Sequence, residues 1–301
     1  MNWTPLIKND VVEIIAPGSK CDRDQLSLAI QYVRSLGLKP QVPKNIFAKT
    51  PYLANTDQQR LKQLVGAIKN PSSKAIWCLR GGYGCARLLS DLSRETPIKR
   101  QKLFIGYSDI TALHLWLSQK WGWKTVHGPV LDGIVTKKLS SMTHKKLKKV
   151  LFASDRQLEL GKLKPFNEAA KKHIKIQAPI YGGNLAIVNS LIGTPFSLVG
   201  SNRVLFFEDI GERGYQIDRY LVQLSQAGLF KKTKAVVFGD FVGGLEPDGT
   251  SYVRHALKSF AESQKIPVFQ GLKVGHGLNN WPVVQGSIAL IDPMNRLSIS
   301  Y

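Results

Sequence analysis

Apolar residues along this chain fall into short β-branched runs, each followed by a glycine- or proline-bearing turn and then a segment of helical period. The run at 11–15 reads as a first strand ending at Pro17 and Gly18. Residues 22–36 then place Leu26, Ile30 and Val33 on one helical face, with Gly37 to stop it. A short strand at 40–42 precedes a helix over 56–69, whose core face is Leu61, Leu64, Val65 and Ile68. The runs at 75–79 and 102–105 are further strands. After 105 the period changes again, with Ile110, Leu113 and Leu117 in helical phase. Strands alternating with helices predict a mostly parallel sheet covered on both faces.

The second half has the same grammar. Residues 178–184 read as the entry to a helix over 185–191 that closes at Gly193 and Pro195. Residues 203–207 and 235–238 are buried strands, and 215–227 and 251–263 are helices. The segments 267–269 and 273–274 are strands or sheet edges, and 283–290 and 297–301 close the sheet. Between the halves, residues 137–177 hold eleven lysines and few acids, which reads as a solvated linker with room for a short helix near 144–152. The expected organisation is an α/β domain over 1–140, a basic linker over 141–176 and a second α/β domain over 177–301.

Composition narrows the field. The 301 residues are 43% hydrophobic and 21% charged, a globular balance. No apolar run approaches the ~18 residues of a membrane span, and the N-terminus lacks a signal-peptide pattern. Three cysteines, Cys21, Cys78 and Cys85, cannot all pair, and none has a C-x-x-C neighbour. A reducing compartment and no zinc site are the expectation, and no cofactor is expected. Basic residues number 42 and acidic ones 21, for a net charge of +21. The charge is dispersed and no nucleic-acid motif accompanies it, so it reads as a solubilising surface and nucleic acid is not the expected partner. A non-catalytic polyanion binder is the alternative from a different class, and strong salt-dependent DNA binding is its signature.

Candidate chemistry sits at predicted strand ends, where open α/β sheets bind ligands. Ser108 lies between a strand end and a helix start, as a serine nucleophile on a sharp turn does. The glycine expected two residues later is Ile110. The competing reading is that Ser108 merely caps the helix. Arg80-Gly-Gly-Tyr-Gly84 is a second loop on the same rim. A serine nucleophile needs a base, and the base an orienting acceptor. Of six histidines, His114 is placed on a helix as a structural residue. His144 and His173 fall in the basic stretch as exposed ones, and His255 lies mid-helix. His127 stays a second candidate, and His276, flanked by Gly275 and Gly277, is the first. Glu208 directly follows a buried strand, so the order Ser108, Glu208, His276 matches that of one hydrolase class.

Taken together, several motifs resemble the LD-carboxypeptidase (muramoyltetrapeptide carboxypeptidase) family over nearly the whole chain. They are Arg80-Gly-Gly-Tyr-Gly84, Phe104-Ile-Gly-Tyr-Ser108-Asp-Ile-Thr111, Gly182-Gly-Asn-Leu185 with Gly193-Thr-Pro195, Phe207-Glu-Asp-Ile210 and Gly275-His-Gly277. The resemblance implies a flavodoxin-like N-terminal parallel-sheet domain and a smaller, swivelling C-terminal α/β domain. It also implies a catalytic triad of Ser108, His276 and Glu208, with an oxyanion hole from the backbone N–H groups of Gly82 and Asp109. Family members are cytoplasmic, metal-free homodimers of cell-wall recycling that remove terminal D-alanine from murein tetrapeptides, cutting after diaminopimelate or lysine. Arg80 is the candidate for the substrate carboxylate. A self-immunity peptidase of the same fold, acting on peptide–nucleotide antibiotics, is the near alternative. It would need an aromatic platform, for which Trp121, Trp123 and Trp281 are the candidates.

Overall fold

A computed structural model describes residues 3–301. The chain divides into two compact units, Met1–Asp155 and Arg156–Tyr301.

In the first unit the elements alternate: β1 (Val11–Ile15), α1 (Arg23–Ser35), β2 (Lys39–Gln41), α2 (Asp57–Lys69), β3 (Ser73–Cys78), α3 (Leu89–Leu92), β4 (Leu103–Gly106), α4 (Thr111–Lys120), β5 (Val126–His127), α5 (Leu131–Thr136) and α6 (Ser141–Phe152). All the strand pairs joining β1 to β5 are parallel, in the order β2-β1-β3-β4-β5. That is the flavodoxin-like order. Covered on both faces, a parallel strand must be apolar throughout, and β3 and β4 are buried along almost their whole length. Glu13 is the exception in β1, and its buried carboxylate accepts from the Asn70 side chain. Helix α4 departs from its predicted one-sided pattern. Every residue over 111–118 is buried, His114 and Ser118 included.

The second unit holds β6 (Gln157–Lys162), β7 (Lys164–Pro165), α7 (Glu168–Lys171), β8 (Ile176–Asn184), α8 (Leu185–Ser190), β9 (Val204–Ile210), α9 (Gly214–Gln226), β10 (Ala235–Val242), α10 (Val253–Ser263), β11 (Val268–Gln270), β12 (Val283–Val284), β13 (Ile288–Ile291) and β14 (Arg296–Ser300). Its sheet has eight strands in the order β6-β14-β13-β8-β9-β10-β11-β7. Strands β8 to β11 are parallel, and the flanks are antiparallel.

Two sequence expectations change here. The stretch read as a basic linker over 141–176 is regular structure. Helix α6, the short helix expected near 144–152, buries Thr143, Leu147, Val150 and Leu151 and turns its lysines outward. Strand β6 pairs with β14, and the side-chain amide of Asn167 donates to three carbonyls at 261, 264 and 266. Amphipathic period, not charge density, decides such a segment. The second change is β8, read as a helix entry. Pro179 and the pair Gly182–Gly183 argue against a central strand, yet β8 lies between β13 and β9. A methyl group on Gly182 would fall 1.8 Å from the Phe206 carbonyl oxygen, so glycine is what permits the pairing. Residues 273–274 form no strand.

Candidate active site

Three neighbouring strands of the first sheet, β1, β3 and β4, end in loops that touch. Strand β4 delivers Tyr107 in extended conformation, and the next residue, Ser108, has φ +63°. Left-handed backbone at a serine is strained and costs on the order of 1–2 kcal/mol. A single 3₁₀ turn, Ser108–Ile110, then leads into α4. Tyr107, not Ser108, occupies the cap position, and no side-chain oxygen caps the turn, which removes the capping reading. Gly106 makes the reversal possible, since a methyl group there would meet the Ile110 side chain at 2.7 Å.

The glycine loop after β3 is pressed onto this turn. A methyl group on Gly81 would lie 2.9 Å from the Ser108 Cβ and 3.2 Å from its Oγ. Gly82 has φ +85°, and a methyl group on it would collide with the Ser19 hydroxyl at 2.3 Å. Ser19 comes from the loop after β1. Its N–H donates to the Gly81 carbonyl at 2.9 Å, and its Oγ accepts the Tyr83 N–H at 3.1 Å. Asp109 is buried, and its Oδ2 accepts the Cys85 N–H at 2.9 Å. Burial pushes its carboxyl above the usual range, against the pull of hydrogen bonds from Cys85 and the charge of Arg60.

Arg60 is the residue sequence reasoning missed. It lies on the buried face of α2, with its side chain fully inaccessible. Its guanidinium donates to the carbonyls of Pro17, Gly84 (3.0 Å) and Asn55 (3.2 Å), and pairs with Asp57 at 2.6 Å. One cation therefore holds the loops after β1 and β3 together. The available signal was its position four residues before Leu64 on the apolar face. Arg80 does something else. Its Nε lies 3.7 Å from the Asp132 carboxylate, and 44% of its side chain stays exposed. Burial raises the Asp132 pKa, while Arg80 and Lys137 pull it down.

In the second unit, Glu208 sits near the end of β9 opposite Asn184 of β8. The glycine-flanked loop after β11 carries His276. Its Nδ1 and Glu208 Oε2 are 2.7 Å apart, with side chains 7% and 0% exposed. Two glycines let this loop in. A methyl group on Gly275 would lie 3.1 Å from Glu208 Oε2, and one on Gly239 would meet the Val274 carbonyl at 2.5 Å. Asp209 faces the other way. It accepts from the Asn184 side chain at 2.7 Å and the Ala186 N–H at 2.9 Å, and burial with the adjacent Glu208 pushes its pKa to about 7.

The first unit thus sets Ser108, Asp109 and Gly82 in adjoining loops, with Arg80 at the start of the glycine loop and paired to Asp132, and the second joins Glu208 to His276. The remaining histidines separate from the set. His114 is buried against the Gly106 carbonyl, and His127 is buried beside Tyr107. His173, expected to be exposed, is fastened to the carbonyls of Ala170 and Asp292. Trp123 is buried with its N–H on the Ile98 carbonyl, so it offers no base platform. All three cysteines are buried free thiols whose pKa burial raises, which disfavours the reactive thiolate. No group of His, Cys, Asp and Glu among the described residues is placed to hold a metal ion.

A strained serine at a strand end in one unit and a buried acid–imidazole pair in the other bear directly on comparison with known proteins. Residues 12–128 match the LD-carboxypeptidase N-terminal domain, and residues 177–291 its C-terminal domain. The chain belongs to the LD-carboxypeptidase family. A putative carboxypeptidase of Rickettsia conorii is 38% identical over 92% of this chain and 86% of its own length. A probable murein peptide carboxypeptidase of Bacillus subtilis is 31% identical over 99% of this chain and 94% of its own length. The crystal structure of muramoyltetrapeptide carboxypeptidase from Oxalobacter formigenes is 27% identical, covers 97% of this chain and 99% of its own, and superposes with a TM-score of 0.81. The microcin C7 self-immunity protein, solved with aspartyl sulfamoyl adenosine, has a TM-score of 0.85. At 20% identity over 100% of this chain and 98% of its own, that likeness shows the fold. The LD-carboxypeptidase assignment makes the chain a peptidase. In addition, no helix among the described residues is long and apolar enough to cross a membrane.

Proposed function

We propose that this LD-carboxypeptidase family member is a serine carboxypeptidase that removes terminal D-alanine from murein tetrapeptides in cell-wall recycling. The observation that carries the reading is the buried 2.7 Å contact between His276 and Glu208, in a chain whose other unit holds a serine at φ +63°. A carboxylate can only accept, so Glu208 fixes the His276 proton on Nδ1 and leaves Nε2 as the base. In this reading Nε2 takes the Ser108 proton as Oγ attacks the scissile carbonyl carbon. Glu208 stabilises the imidazolium so formed. The N–H groups of Gly82 and Asp109 receive the oxyanion, each worth roughly 10²–10³ in rate. The C–N bond then breaks, His276 protonates the departing amine of D-alanine, and water hydrolyses the Ser108 ester by the same route in reverse. Arg80 holds the free carboxylate of the substrate.

The same reading expects the activity in the cytoplasm and in a homodimer, as the family resemblance implies. Light scattering on the purified protein checks the dimer, and a monomeric mass removes it. The deciding experiment for the activity compares wild type and Ser108→Ala on a murein tetrapeptide, with released D-alanine measured. Release by wild type and none above background by the variant is expected. Equal release by both ends the serine reading.

A further inference from the structure

Asp240 lies near the end of β10 and presses on the loop that carries His276. Its N–H donates to the Val274 carbonyl at 2.8 Å. Its own carbonyl oxygen would stand 3.1 Å from a methyl group on Gly275, and its carboxylate Oδ2 only 2.7 Å from one on Gly277. The glycine after His276 therefore leaves room for the Asp240 carboxylate, and the one before it for Asp240 and Glu208 alike. Asp240 is half-buried, and among the described residues its carboxylate accepts no hydrogen bond and forms no ion pair. Burial works against its charge, the nearby Glu208 adds to that, and the exposed Lys273 pulls the other way. In a chain with 42 basic and 21 acidic residues, an acid left without a partner beside a candidate catalytic base needs an explanation. A half-buried carboxylate lacking a partner is stabilised by an incoming cation, through a charge-assisted hydrogen bond.

The geometry points to Asp240 as a specificity residue that receives the side-chain ammonium of the substrate residue preceding the scissile bond. This rests on the carboxypeptidase reading above. It separates two substrate types by sign of charge. A diamino acid at that position is favoured, a neutral side chain leaves Asp240 unsatisfied, and an acidic one is repelled.

The test uses a tetrapeptide with L-lysine at the third position and its norleucine isostere, which lacks only the ammonium group. Wild type is expected to show kcat/KM for D-alanine release about tenfold or more higher on the lysine peptide, mainly through KM. In Asp240→Asn that ratio falls to within about twofold of one. A ratio that survives in Asp240→Asn overturns the assignment, as does a wild type that prefers neither peptide, and both leave the carboxypeptidase reading standing. Wild type that releases D-alanine from neither peptide overturns both. Should Asp240→Asn be too slow to assay, calorimetry settles the point with Ser108→Ala and Ser108→Ala/Asp240→Asn. A lysine preference in the first that is lost in the second supports the assignment, and equal affinity of the first for both peptides overturns it.

Discussion

His276 Nδ1 stands 2.7 Å from Glu208 Oε2, and neither side chain is open to solvent. A buried acceptor for Nδ1–H sets both the tautomer and the ring plane of the imidazole. Glu208→Gln keeps the volume and can present its N–H₂ to Nδ1, which selects the other tautomer. The expected outcome is a fall in kcat of about 10³–10⁴-fold with KM little changed. Steady-state D-alanine release checks it, and a fall under tenfold removes Glu208 from the relay.

Arg60 makes a different prediction, because it touches no reacting atom. Arg60→Ala strips donors from the carbonyls of Pro17, Asn55 and Gly84 and leaves a hole under both loops. Unfolding free energy is expected to drop by about 2–4 kcal/mol, and kcat to drop with it. Chemical denaturation and turnover measured together test this. A variant as stable as wild type shows that the loops hold without the guanidinium.

Gly82 tests the loop from the other side. Alanine there must adopt φ +85° and meet Ser19 at 2.3 Å, so the loop has to shift. Gly82→Ala is expected to lose roughly 10²-fold or more in kcat. Structural damage at the same site contributes, so Ser19→Gly in the same background is the control. Removing the obstructing hydroxymethyl group should restore part of the rate, and no restoration argues that the backbone strain alone is responsible.

Acid sensitivity follows from His114. Burial lowers its pKa to about 4, against an ordinary value of 6.5. Between these values the unfolded chain binds a proton that the folded chain does not. Stability from this group is therefore complete above pH ~6.5 and falls as pH drops toward 4, by about 3 kcal/mol in all. His114→Gln can still donate to the Gly106 carbonyl and carries no titrating group. Its unfolding free energy should be flatter with pH than that of wild type over that window. Parallel curves sink the assignment.

How much of this could be read from the residue order depends on what each segment's chemistry reports. The strands and helices of the first unit announce themselves, because β-branched runs and helical period are local signals. The strand-end positions of Ser108 and Glu208 follow from the same signals. Strand β8 was hidden, since Pro179 and Gly182–Gly183 speak for a turn until the strand packed against them is known. The lysines over 137–177 masked β6, whose apolar residues are few, while the helix near 144–152 was legible from its period. The roles of Arg60 and Asp240 were hidden for another reason. Their significance lies in which carbonyls or glycines stand nearby, and most of those are tens of residues away in the chain.

The positive φ of Ser108 has a consequence for any control that replaces it. Ser108→Ala removes the hydroxyl and keeps the strained backbone, whereas Ser108→Gly removes both. The glycine variant should resist denaturation better than the alanine variant, by about 1 kcal/mol. Should it also surpass wild type, selection has kept at this turn a side chain that folding alone would discard.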